Sequence, residues 1–281
     1  MYVQKNRRYR RKARGAGKRR NARRSSVATV PFVMRKFAAL ERSRETKCIQ
    51  FYEAGTPISS YGGGSYGGSA NTMTVVPLNP NSLNLSIAQG SGQANRIGNK
   101  IETVKATLKL MFFPVAEGPS NLSPRPQVVK IWGLWYKKGS FSGAPPSSMP
   151  NFFQSGNTSI DPQGNLQDDF LTVNKDSYHV AFTRTFKVGN ATIYDGGDTA
   201  SGPLNQNQKY ANNDFKLNAK CTIDYTKHLF KTQSFNDSSY DPSNRQLYLV
   251  VESISCDNID NGANNYPIKM AYEIDYRFKD A

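Results

Sequence analysis

Six apolar residues at every second position close the chain: Ile268, Met270, Tyr272, Ile274, Tyr276 and Phe278, with Lys269, Glu273, Asp275, Arg277 and Lys279 among the intervening places. A helix turns by about 100° per residue and would spread this set around its axis, whereas an extended strand gathers it on one face. A strand with one buried face needs partners of the same kind, and the chain has them. From 101 to 113, Val104, Ala106, Leu108, Leu110 and Phe112 alternate with Lys105, Thr107 and Lys109. Residues 128–136, which include Trp132 and Trp135, are apolar on both faces and predict a strand covered on both sides. Tyr178, Val180, Phe182, Phe186 and Val188 are expected to share one face of a further strand, as are Phe215, Leu217, Ala219, Cys221, Ile223 and Tyr225. Residues 247–251 are continuously apolar, 46–53 set Cys48, Gln50 and Tyr52 against Ile49 and Phe51, and weaker strands are predicted at 72–76 and 229–234.

Between these segments lie stretches rich in Gly, Pro, Asn and Ser, at 114–126, 138–169, 189–212, 236–244 and 257–266. They read as long loops. A further low-complexity stretch, 54–71, carries two nearly tandem Ser-Tyr-Gly-Gly units and is expected to be a surface loop with Tyr61 and Tyr66 exposed. The fold class that follows is all-β. About eight long strands fit a single jelly-roll β-sandwich of two packed antiparallel sheets better than an immunoglobulin-like sandwich.

The first 24 residues follow a different rule. Lys5, Arg7, Arg8, Arg10, Arg11, Lys12, Arg14, Lys18, Arg19, Arg20, Arg23 and Arg24 stand there with no acidic residue. Mutual repulsion predicts a disordered, solvated arm until a polyanion neutralises it. Arginine predominates, and its planar fork suits phosphate oxygens and stacking on unpaired bases, contacts that require no particular base sequence. These twelve residues are the candidate nucleic-acid-binding site, and the same run is compatible with a nuclear import signal. Of the 37 basic residues in the chain, 25 remain outside the arm against 21 acidic ones, so the body is nearly balanced. The expected organisation is an arm at 1–24, a linker or short helix at 25–45, and one β domain at 46–281.

The three cysteines, Cys48, Cys221 and Cys256, are widely spaced and odd in number, which fits neither a disulfide framework nor a zinc site and suggests a reducing compartment. No secretory signal is expected, because no suitable apolar stretch follows the basic run, and no apolar run reaches the roughly 18–20 residues that span a bilayer. Catalytic patterns are equally scarce, and no enzyme activity or cofactor is expected. His179 and His228 read as separate surface residues, too distant in sequence for a local metal motif. Gly90, Gly92 and Asn95 imitate a dinucleotide-binding loop without its third glycine and read as a turn feeding a strand. Asp257, Asp260, Asn261 and Gly262 lack the remaining ligands of a calcium loop, and Asp195-Gly196-Gly197-Asp198 is a turn signal.

Gln89-Gly90, followed by Arg96-Ile97-Gly98-Asn99-Lys100-Ile101 leading into the long strand, resembles the capsid proteins of circovirus-like, Rep-encoding, circular single-stranded DNA (CRESS-DNA) viruses. The Arg-rich start and the strand order extend the resemblance over most of the chain. It implies a jelly-roll coat protein that self-assembles as about 60 copies in a T=1 icosahedral shell. It also implies an inward arm on a single-stranded DNA genome, use of the host nuclear import machinery, an unidentified cell-surface receptor, and residence in the virion and the host nucleus. Two other classes compete. A histone-like or ribosomal nucleic-acid-binding protein, or the coat protein of a small RNA virus, explains the arm; a β-sandwich lectin or hydrolase explains the body. The charge of the arm gives a first prediction. Oligonucleotide binding by residues 1–24 is expected to fall steeply between 50 and 200 mM salt, by about 10³-fold or more if six or more phosphates are neutralised. Fluorescence anisotropy measures this, and an affinity indifferent to salt would rule out the electrostatic tether.

Overall fold

In the computed structural model of this chain, sequence alternation reappears as alternation of burial. The structure describes residues 34, 45–58, 73–92, 94–115, 127–137, 149, 151–164, 166–189, 216–236, 239–255 and 268–281. The arm, nearly all of 25–44, both Ser-Tyr-Gly-Gly units, Cys256, Phe215 and the acidic turn signals lie outside the described residues. The strands are β1 (Lys47–Ile58), β2 (Met73–Pro77), β3 (Lys100–Pro114), β4 (Gln127–Tyr136), β5 (Phe153–Ser155) and β6 (Thr158–Ile160). A five-residue helix α1 (Leu166–Phe170) precedes β7 (Thr172–Val173), β8 (Tyr178–Val188), β9 (Ala219–Asp224), β10 (Thr232–Ser234), β11 (Tyr248–Ser255) and β12 (Ile268–Asp280).

The first sheet has the order β1-β12-β3-β10, with β9 also on β3, and the second has the order β2-β11-β4-β8. Collinear β9 and β10 pair with different stretches of β3, Thr107–Phe112 and Lys100–Glu102, and count as one interrupted strand. Eight antiparallel strands then alternate between two sheets, the first, eighth, third and sixth in one and the second, seventh, fourth and fifth in the other. This is a jelly roll. β12 lies between β1 and β3, so its ladder is bonded on both sides. Its residues Ile268, Met270, Ile274, Tyr276 and Phe278 are fully buried and meet Val129, Ile131, Leu249 and Val251 of the second sheet in the main core.

A second core lies on the other face of the second sheet. There Trp132, Leu134, Tyr248 and Val250 pack with Met149, Phe152, Phe153 and Tyr178. Trp132 meets Phe152 edge to face with centroids 5.2 Å apart, and Phe152 meets Phe153 in the same way at 4.9 Å. The stretch 138–169 is therefore not a simple loop: its described part supplies β5, β6 and most of α1, which with β7 cover this face. The cover accounts for a β4 that is apolar on both sides.

Bulges correct three expectations. At the register shift between Gly133 and Leu134, Phe182 pairs with Gly133 and Val180 with Leu134, leaving Ala181 extra. Tyr178 and Val180 consequently face the second core, while Phe182, Phe186 and Val188 face the main one, so the five do not share a face. The Phe182 ring lies so close over Gly133 that any Cβ there would overlap it. A second shift, at Val104, turns that residue outward to 41% exposure and places Thr103 inside, with its hydroxyl 2.7 Å from the Tyr276 hydroxyl. The third, at Gly55 with φ of +96°, lets β1 continue to Ile58 where a loop was expected from 54. Leu217 also departs from expectation. Its strand pairs with β3 only from Ala219 onward, and Leu217 is left 63% exposed. The weak strand at 229–234 is shortened to β10.

The Gln89-to-Ile101 motif is held by buried charge. Arg96 is fully buried. Its guanidinium donates to Gly98 O, to Asn99 Oδ1 at 3.1 Å and to Ser239 O at 3.0 Å, and lies 4.7 Å from the centre of the Phe235 ring. Gly98 has φ of +87°, a conformation that a side chain would strain. Lys47 Nζ donates to Asn95 O and pairs with Asp280 Oδ2, each at 2.7 Å, and Asp280 Oδ1 accepts from Ile97 N at 2.8 Å. The segment is thereby fastened to β1 and to the end of β12. Arg96→Lys keeps the charge but loses the fork, and is expected to cost about 2 kcal/mol in urea unfolding. Arg96→Ala should cost about 3 kcal/mol or more, because it empties a fully buried site and leaves the part-buried carbonyls of Gly98 and Ser239 without their donor.

Candidate functional site

A cleft among the described residues forms where β4 and β8 meet the interruption between β9 and β10. Trp135 and His179 are cross-strand partners, and their rings stack with centroids 5.0 Å apart and planes 26° from parallel. The interruption is a 3₁₀ turn, Thr226–His228, built by local hydrogen bonds. Asp224 Oδ1 accepts from Thr226 Oγ1 at 2.6 Å and from Thr226 N at 3.0 Å, and Thr226 Oγ1 accepts from Ala106 N at 2.9 Å. Such side-chain-to-backbone bonds compete with strand pairing and end β9 here. The turn presents His228 edge-on to Trp135 at 6.3 Å and brings it 5.9 Å from the Phe182 ring. Lys227, Leu229, Phe230 and Arg245 complete a cleft of about 290 Å³.

Burial, then the Lys227 cation and His179, hold the His228 imidazole below its ordinary pKa. At neutral pH the cleft therefore combines a neutral His228 ring with the cations of Lys227 and Arg245. The hydroxyl and amide of Thr226, reinforced by Lys105 and Lys227, hold Asp224 below the usual carboxylate range. His179 and His228 read from sequence as unrelated surface residues. His179 is exposed and His228 half-buried, and the fold adds what spacing did not show by placing both beside one tryptophan. Among the described residues no three His, Cys, Asp or Glu side chains gather as a metal-binding group.

A pair of carboxyls lies beneath the cover of the second sheet. Glu252 of β11 and Asp168 of α1 are both fully buried. Asp168 Oδ2 accepts from Gln163 N at 2.7 Å and from Gly164 N at 2.6 Å, while its Oδ1 and both Glu252 oxygens have no donor when the two groups are ionised. Lys130 Nζ, at the edge of the pair, is bound by Asp169 Oδ1 and Asp169 O, each at 2.7 Å. Burial first, then the charge and hydrogen bonding of Asp168, push Glu252 well above the usual carboxylate range, against the opposing effect of Lys130 and the Gly164 amide. A proton on Glu252 converts two facing acceptors into a donor and an acceptor. Paired carboxylates suit acid–base catalysis when substrate reaches them, but these two are fully buried, one on α1 and one on β11.

The twelve basic arm residues predicted to bind nucleic acid lie outside the described residues. Trp135, Lys227 and Arg245 were not singled out from sequence as site residues. Asp224 and Thr226, whose side chains can bond to nearby backbone, are the local feature that ends the strand there. No known protein family and no curated protein sequence matches the chain.

The buried pair makes stability depend on pH with a definite sign. Below about pH 4.5 Glu252 is protonated in both folded and unfolded chains, and its stabilising effect is complete. Above that, only the unfolded chain releases the proton, so stability falls as pH rises toward the elevated folded pKa, by at most about 1.4 kcal/mol per pH unit. Glu252→Gln, whose amide still donates to Asp168, should remove this slope and raise neutral-pH stability relative to the native chain. Urea titrations at pH 4.5, 6 and 7.5 measure the difference, and parallel profiles would refute the shared-proton assignment.

Proposed function

We propose that the chain is a viral coat protein of the circovirus-like, single-stranded DNA type, which self-assembles into a small icosahedral shell and packages its genome through the Arg-rich arm. The observation that carries this reading is the joining of two features in one chain: a jelly-roll body and a 24-residue segment with twelve cations and no anion. Jelly rolls recur in capsid subunits, lectins and cupins. The arm favours the first of these, since a polycation has an evident task against an enclosed polyanion.

Magnitudes support the assignment. About 60 arms would carry roughly 720 positive charges into one cavity, enough to neutralise a similar number of phosphates. Extended at about 3.3 Å per residue, the arm reaches about 80 Å and samples much of a small shell's interior. In this reading the body makes the shell contacts, the arm also serves nuclear import, and the protein resides in the virion and the host nucleus. No helix of the described residues is long and apolar enough to cross a membrane.

Sedimentation velocity of the full chain and of a chain lacking residues 1–24, followed at 260 and 280 nm, tests the proposal. Large discrete particles are expected, with nucleic acid in them only when the arm is present, and nuclease digestion of their content distinguishes DNA from RNA. If both chains remain small across salt and pH, the coat-protein reading is wrong.

A further inference from the structure

The cleft beside Trp135 presents two cations and an exposed ring to which the fold assigns no evident structural task. Lys227 and Arg245 are exposed and have neither a hydrogen bond nor an ion pair with any described residue. Phe230 is 44% exposed although large and apolar. Trp135 is half-buried and offers edge and ring surface beside two imidazoles. Among the described residues no acidic side chain lines the cleft. The nearby Asp224 is engaged by Thr226.

These features select a ligand with two parts. Ring surface rewards a planar aromatic group by about 1–3 kcal/mol for a stacked base, independently of which base it is. A pair of unpaired cations, one of them a guanidinium fork, rewards a phosphate. The volume of about 290 Å³ lies at the small end of ligand sites and suits one such unit, not an extended chain. We propose that this cleft binds a nucleotide, with the base against the Trp135, His228 and Phe230 rings and the phosphate between Lys227 and Arg245. The proposal adds a site on the body to the one on the arm and does not depend on shell formation. The nucleotide is either free or one residue of a single strand.

The test uses the full chain titrated with dAMP, deoxyadenosine, inorganic phosphate and the tetranucleotide d(A)4, read by isothermal calorimetry and by tryptophan emission. Trp132 and Trp135 are the two tryptophans of the chain, and Trp132 is only 5% exposed, so quenching reports mainly on Trp135. Saturable dAMP binding is expected, with deoxyadenosine and phosphate each at least about tenfold weaker. The exposed double variant Lys227→Ala/Arg245→Ala retains the arm and should lose about tenfold in dAMP affinity with an unchanged circular dichroism spectrum. Trp135→Leu, read by calorimetry, should lose a similar factor. Tighter binding of d(A)4 that the Lys227→Ala/Arg245→Ala variant weakens assigns the site to a strand, and equal binding of d(A)4 and dAMP at the cleft assigns it to the free nucleotide. The proposal is overturned if dAMP does not saturate by 10 mM, if both variants bind like the native chain, or if phosphate binds as tightly as dAMP. Failure here with intact particle assembly would remove the cleft and leave the coat-protein reading standing; the converse result would do the opposite.

Discussion

The insertion of β12 between β1 and β3 is the constraint on which the rest of the sandwich depends. Lys47 pairs with Phe278 and Ile101 with Asp280, so the end of the described chain must return between its first and third strands before the first sheet has a middle. Until then β1 and β3 are separate edges with unpaired amides and a shared apolar face without cover. Once inserted, β12 satisfies both neighbours and sets six alternating side chains against the second sheet. The loop-closure cost of such distant pairing is met by burial of Ile274, Tyr276 and Phe278. The ion pair of Lys47 with Asp280 and the hydrogen bond from Ile97 to Asp280 fix the end of the strand and, with it, the Arg96 segment.

The second sheet answers a different demand. β4 and β11 are apolar on both faces, and two apolar faces require two covers. One is the first sheet; the other is the layer of β5, β6, β7 and α1. That layer is thin and its strands are short, so its hold on the sheet relies on aromatic contacts and on the bonds of Lys130 in β4 to Asp169 in α1. The bulge at Ala181 belongs to the same arrangement. By shifting β8 half a pleat, it lets one strand serve the second core with Tyr178 and the main core with Phe182, whose ring fills the space above Gly133.

The cleft arises from an interruption. Where β9 gives way to β10, the turn stays bonded to β3 through Tyr225 N and Thr226 Oγ1 but turns His228 toward Trp135 and Phe182 of the second sheet. Lys227 of the turn and Arg245, which precedes β11, lie at the same opening. At neutral pH, with His228 kept uncharged by burial, those two cations and the ring surface define its chemistry.

Period-two alternation over 101–113 and 268–278, and the doubly apolar 128–136, determined the all-β class and the face that each long strand buries. These are local properties: a strand's side chains alternate whatever its partners are. Alternation fails at Val104, between Val180 and Phe182, and at Leu217, because a bulge or the end of a ladder is set by the neighbouring strand, which local spacing does not encode. The same reason hid the candidate cleft. Trp135, His179, His228 and Arg245 are far apart in sequence, and each taken alone reads as core or surface. The charge of the arm, by contrast, was evident from sequence because twelve like charges in 24 residues repel in any conformation. Only tertiary structure decided which carboxyls are buried together, which arginine is buried and which imidazoles meet, since each depends on distances created when non-adjacent strands pair.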